Sequence, residues 1–149
     1  MKRVVYDNSD AYDMTYIESM CIINPKLCKK VGLKVAVVEG GEGPIPHIHV
    51  FYDTPADADC AYIRLDIGEY SDHHSRPSRR LTRKEKQLFL KIMNSPWEKR
   101  YVELPNGELV HATGYQAAVD TWVDCYENDY SKFRLDTNGK PIMPDYSNL

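Results

Sequence analysis

The four cysteines, Cys21, Cys28, Cys60 and Cys125, form no CxxC pair and no zinc-ribbon spacing, so a thioredoxin-like redox motif and a cysteine zinc finger are both excluded. They read as reduced, mostly buried thiols of a cytosolic protein. No apolar run approaches membrane-spanning length, and the opening residues MKRVVYDNSDAYD turn acidic where a signal peptide needs its apolar core. The expectation is a soluble cytoplasmic chain with no membrane partner. There is no Gly-rich phosphate loop, no Ser nucleophile motif and no dinucleotide fingerprint. A net charge of −3 gives the chain as a whole no pull on nucleic acid. Tryptophan and phenylalanine are scarce, two and three residues, against eleven tyrosines. Tyrosine serves both cores and wet binding surfaces.

What is present centres on GPIPHIHVFYD, residues 43–53. Side chains alternate along a strand, so His47, His49 and Phe51 point one way and Ile48, Val50 and Tyr52 the other. The two imidazoles then stand side by side, with Cβ atoms roughly 6.5–7 Å apart. Pro44 and Pro46 lack the N–H a ladder needs and stiffen the lead-in, so regular pairing starts near His47. The pair is expected on the open face of a sheet or at its edge.

Around this strand, residues 33–39 (LKVAVVE) read as a strand covered on both sides, and residues 61–67 (AYIRLDI) as a half-buried strand. The connections are too short for crossover helices, so the three form an antiparallel meander. Residues 1–6 suit a short strand. Met14, Ile17 and Cys21 recur at helical spacing and predict a helix over 10–22, after caps at Asn8-Ser9-Asp10. Asn24-Pro25 starts a short turn that Gly32 closes. Thr82-x-x-Glu85 caps a helix over 83–94, stopped by Pro96, and Thr113-x-x-Gln116 caps another running to about Asn128. Between them Asn106-Gly107 signals a hairpin. Asn138-Gly139 marks a small hairpin or surface arm over 131–149. No repeat and no linker interrupts the chain. The expected fold is α+β, a single domain over 1–149 with its core in 31–128: an antiparallel meander of three or four strands, helices on one face, and a C-terminal hairpin plus helix.

The stretch P-H-I-H-V at 46–50, the apolar strand before it, the polar-alternating strand after it and the capped helix are similar to a family of small bacterial and mobile-element proteins. That family is known as a domain of unknown function with a PHxHV strand. The resemblance covers roughly residues 31–95, with His47 and His49 on the family's paired histidines and Pro46 and Val50 on the flanks. Members often lie beside a second small gene in a toxin–antitoxin-like arrangement, which implies a protein partner. This chain adds an acidic insert after the His strand and a hairpin and helix after residue 96.

Two chemistries fit the pair. As metal ligands, His47 and His49 suit a divalent transition metal and need at least one more ligand, for which Asp53, Asp72, His73, His74 and His111 are candidates. As general acid and base they suit metal-free RNA cleavage, with Arg79, Arg80 and Arg83 on phosphate. Those arginines belong to a basic block: residues 76–86 carry six bases against Glu85 alone, a local +5. Residues 53–72 carry six acids against Arg64, a local −5. Such blocks are commonly solvated faces, or they neutralise each other. Asp53, Asp57 and Asp59 lack the Gly and terminal Glu of a calcium loop. His111-x-Thr113 is half of a paired phosphoesterase signature whose other half is missing, and Thr113 has a capping role of its own.

Two functions of different class follow. One is a protein-interaction module of a toxin–antitoxin-like or mobile-element system, docking a partner through an open sheet edge. The other is a metal- or His-dependent nucleic-acid-processing, RNase-like toxin acting on RNA or DNA through His47 and His49.

Overall fold

The computed structural model describes residues 4–6, 16–17, 20–38, 44–52, 60–72, 79–127 and 130–149. The chain is α+β, with two antiparallel sheets and three α-helices among these residues. The larger sheet is a meander in chain order: β2 (Tyr16–Ile17), β3 (Met20–Ile22), β4 (Lys34–Val38), β5 (His47–Phe51) and β6 (Cys60–Arg64). The smaller has β7 (Pro96–Glu103) between β1 (Val4–Tyr6) and β8 (Leu109–Thr113). The helices are α1 (Pro25–Val31), α2 (Arg83–Asn94) and α3 (Gly114–Trp122), the last continued by a π-helical turn, Val123–Glu127. No helix among the described residues is long and apolar enough to cross a membrane.

The meander expected around the His strand is present, but its first part corrects the helix expected over 10–22. Met20–Ile22 is a strand paired with Val38, Val37 and Ala36 of β4, and Tyr16–Ile17 pairs with Met20 and Cys21. The helical spacing of Met14, Ile17 and Cys21 is overridden by the apolar run Met20-Cys21-Ile22-Ile23. All four residues are buried, so the run fills both faces of a sheet where a helix would turn one face to water. The caps Asn8-Ser9-Asp10 and Met14 lie outside the described residues.

Pro25 and Gly32 bracket α1 as their chemistry dictates. Pro sits in the first turn, where no N–H is needed, and Gly32 takes φ +77° and donates its N–H to Cys28 O. Both long helices carry complete capping boxes, the threonine side chain accepting from the N3 backbone and the N3 side chain accepting from the threonine backbone, at Thr82/Glu85 and Thr113/Gln116. α2 ends at Asn94, as Pro96 requires. It buries Phe89, Ile92 and Met93, each contributing about 1.5–3 kcal/mol of hydrophobic stabilisation. Asn106-Gly107 turns β7 into β8 through a loop closed by Leu104 N–H to Glu108 O, and Gly107 at φ +87° supplies the left-handed residue.

Two further expectations are corrected. Every residue of β5 is buried whichever way it points, so the sheet is covered on both faces at its centre instead of carrying helices on one face only. β6 is buried over Cys60–Ile63, not half-buried, because Tyr62 packs inward as well as Ala61 and Ile63. The C-terminal stretch does form a turn at Asn138-Gly139, with Asp136 N–H donating to Lys140 O and a bridge between Leu135 and Pro141. It is more than a surface arm. Phe133 and Tyr146 are buried in the main core, the Tyr146 ring standing edge-on to Phe89 at 5.2 Å.

Candidate functional site

β5 is an interior strand, paired along its length with β4 on one side and β6 on the other. The registers set His49 in a row with Ile22, Ala36 and Tyr62, and place His47 opposite Arg64. Residues directly opposite in an antiparallel pair share a face, so the histidine face is furnished mainly with apolar and aromatic groups. His47 is 4% exposed and His49 3%. The expected open face or edge is thereby corrected, because β6 and the aromatic side chains around the pair close it in. Trp122 stands 5.5 Å from the His47 ring, Phe51 stacks at 6.0 Å from His49, and Tyr62 meets His49 edge-on at 4.9 Å. The two imidazoles face each other at 5.2 Å between ring centroids.

Local geometry sets the state of each ring. His47 Nδ1 lies 2.8 Å from the carbonyl oxygen of Ile45. A carbonyl can only accept, so Nδ1 carries the proton, and in the neutral ring the lone pair sits on Nε2. Pro46 makes this contact possible, since the residue before a proline is held extended. His49 Nδ1 lies 3.5 Å from Cys60 Sγ, and the same sulfur lies 3.4 Å from the carbonyl oxygen of Ala61. The one thiol proton serves the carbonyl or the ring. Cys60 is therefore the residue of this site that the sequence did not single out. Its pairing in register with Phe51, two places from His49, would have found it once the β5–β6 alignment was known.

His47, His49 and Cys60 do not close on one point. Among the described residues no group of three or more His, Cys, Asp or Glu side chains is arranged to hold a metal ion. Of the further ligands considered, His111 is on β8 with its ring against Tyr101 at 4.8 Å, and Asp72 is exposed beyond the bridge between Ile63 and Tyr70. Asp53, His73 and His74 lie outside the described residues, as do Asp57, Asp59 and Arg76.

The arginines proposed for phosphate gather elsewhere. Arg79 lies over the Tyr52 ring, 3.2 Å from its centroid, and within 3.7 Å of Glu85. Arg80 lies over the Tyr70 ring at 4.5 Å, and Arg83 is the exposed first residue of α2. Tyr52 follows the far end of β5 from His47, and the four steps from His47 to Phe51 already span roughly 13 Å. The cations thus flank the sheet end while the imidazoles occupy its middle. Burial pushes the Tyr52 hydroxyl well above the usual phenol range, with Arg79 opposing, and the hydroxyl donates to Arg79 O at 3.1 Å. Ion pairs of the charged blocks include Arg64 with Asp66 at 2.7 Å and Arg79 with Glu85, each internal to its own block.

A different surface stands open. β8 ends the order of the smaller sheet, and its Leu109 is 53% exposed, above the other exposed large hydrophobic residues described, Ile45, Ile67, Leu135 and Ile142.

No family model, curated protein or solved structure matches the chain. The likeness to the PHxHV proteins rests on the motif and its flanking elements alone.

Proposed function

We propose that the protein is a protein-interaction module, the partner of a second small protein in a toxin–antitoxin-like or mobile-element pair. The single observation that carries this reading is β8, an edge strand bearing an exposed leucine at the outer side of a sheet. An edge strand presents backbone N–H and C=O groups to an incoming extended segment, and an apolar side chain beside it gives that segment something to bury. The occupant is accordingly an extended stretch of the partner, adding a strand next to β8 and covering Leu109. The burial of His47 and His49 supports the same reading, since side chains at 4% and 3% exposure serve packing better than an encounter with a polynucleotide.

The test is co-purification of the untagged chain with the product of an adjacent small gene, comparing Leu109→Lys with Leu135→Lys, a second exposed leucine away from β8. A stoichiometric complex lost in the first variant and kept in the second is the expected result. A complex indifferent to Leu109→Lys, or none at all, overturns the reading.

A second reading, His-dependent nucleic-acid processing, draws support from the fixed His47 ring, whose Nε2 is the basic atom, and from the His49–Cys60 contact. Metal content by mass spectrometry, measured beside a His47→Ala/His49→Ala double variant, tests its metal-dependent form. RNA cleavage in the presence of a chelator tests its metal-free form.

A further inference from the structure

A cleft of about 320 Å³ lies between α1 and the start of β7, far in sequence from the histidine strand. Its size falls at the lower end of small-ligand sites, enough for a mononucleotide and too small for a duplex. Three lysines line it: Lys26 and Lys30, one turn apart on α1, and Lys99 of β7. Leu27 and Trp97 supply an apolar wall. Trp97 is held in place by Arg100, whose guanidinium lies 4.3 Å from its ring centroid.

At the base is Asn24, 6% exposed and in the left-handed backbone region at φ +51°. Its amide nitrogen is committed to the carbonyl oxygens of Ile92 and Ser95, at 3.4 and 3.3 Å. The amide oxygen is the acceptor it offers. The one acid of the lining, Glu98, pairs with Lys26 at 2.7 Å, but both side chains are well exposed, 64% and 72%, and such a pair contributes little and exchanges readily. The cleft therefore combines an excess of positive charge, a greasy wall and a buried hydrogen-bond acceptor, which are separate demands on one ligand.

We infer that this cleft binds a small phosphate-bearing anion with a flat ring, of nucleoside-monophosphate size, its phosphate toward Lys26, Lys30 and Lys99 and its ring against Leu27 and Trp97. The inference goes beyond the docking of a partner on β8 and stands whether or not that docking occurs. Charge alone would accept any anion; the wall and Asn24 select one with a ring that donates a hydrogen bond.

The experiment is a titration of the full chain with adenosine monophosphate, inorganic phosphate and adenosine, followed by calorimetry and by the chemical shift of the Trp97 indole N–H. Saturable binding of the monophosphate is expected, tighter than that of either half. Lys30→Glu/Lys99→Glu is expected to weaken it by about tenfold or more, with weakening also by added salt. Leu27→Trp fills the cleft without altering charge and should abolish binding. Unchanged melting of both variants keeps the comparison valid, and Lys30 is exposed, so its replacement leaves the core alone. Three results overturn the inference: no saturable binding at millimolar ligand, phosphate alone binding as tightly as the nucleotide, or a Leu27→Trp variant that binds like the parent and so reports only a diffuse lysine field.

Discussion

His49 Nδ1 lies 3.5 Å from Cys60 Sγ, joining two adjacent strands through a thiol and an imidazole within the core. The contact ties the motif's second histidine to packing. His49→Ala should therefore destabilise the protein by about 2–4 kcal/mol, the cost of emptying a large core site, and Cys60→Ala by about 1 kcal/mol. Urea unfolding of the two variants and of the double variant measures this. Losses near zero for both would mean that the face is open to water.

The His47 ring is expected in one tautomer. With Nδ1 donating to Ile45 O, nitrogen-detected NMR of imidazole-labelled protein at mildly alkaline pH should show a protonated Nδ1 and a bare Nε2. The opposite tautomer would remove the fixed base on which the acid/base reading depends.

Two glycines separate a shortage of space from a shortage of conformational freedom. A Cβ on Gly114 would meet Ile92 O at 2.2 Å, where α3 begins against the end of α2. A Cβ on Gly32 meets nothing within 4 Å, but its φ is +77°. Gly32→Ala should cost about 1 kcal/mol, the ordinary penalty of a left-handed alanine. Gly114→Ala should cost several times that, since backbone has to move. Thermal melts of the two variants rank them, and equal losses would contradict the close approach.

Stability should fall on the alkaline side. Burial raises the Cys28 thiol from its ordinary 9.0 to about 11, and burial likewise raises the Tyr115 and Tyr146 hydroxyls. The native state keeps protons that the unfolded chain gives up, so unfolding becomes easier as pH climbs from about 9 toward 11. Cys28 alone accounts for a loss on the order of 2–3 kcal/mol across that window. Melting temperatures over this range check it, with Cys28→Ser expected to flatten the decline. A decline as steep in Cys28→Ser would assign it to the tyrosines.

The parts legible in the sequence were those fixed by local chemistry. Thr82-x-x-Glu85 and Thr113-x-x-Gln116 placed two helix starts to the residue, and Asn106-Gly107 placed the hairpin. Pairing of β4, β5 and β6 followed from short, turn-rich connections. What was not legible depended on partners distant in the chain. Met20–Ile22 shows its strand nature only once β4 lies beside it, and helical spacing over three residues is too weak to compete with burial on two faces. The histidines illustrate the same limit: alternation gave their shared face, but nothing local revealed that Trp122 and Tyr62 would shut that face in. Cys60 became visible only through the β5–β6 register, and the lysine cleft only through the approach of α1 to β7.

The two sheets differ in how far along the chain their strands must search for a neighbour. In the meander each strand pairs with the next one made, so it can assemble as translation proceeds. β1 is the exception, because Val4 pairs with Val102 of β7. It is synthesised before any other strand described, yet its partner leaves the ribosome only after the whole meander and α2 have been made. Closing so large a loop is entropically slow, so the earliest strand is among the last to find its place. During that interval both β1 and the β1-facing side of β7 are exposed, which makes the N-terminal strand the point at which a nascent chain is most open to proteolysis or to pairing with a second copy.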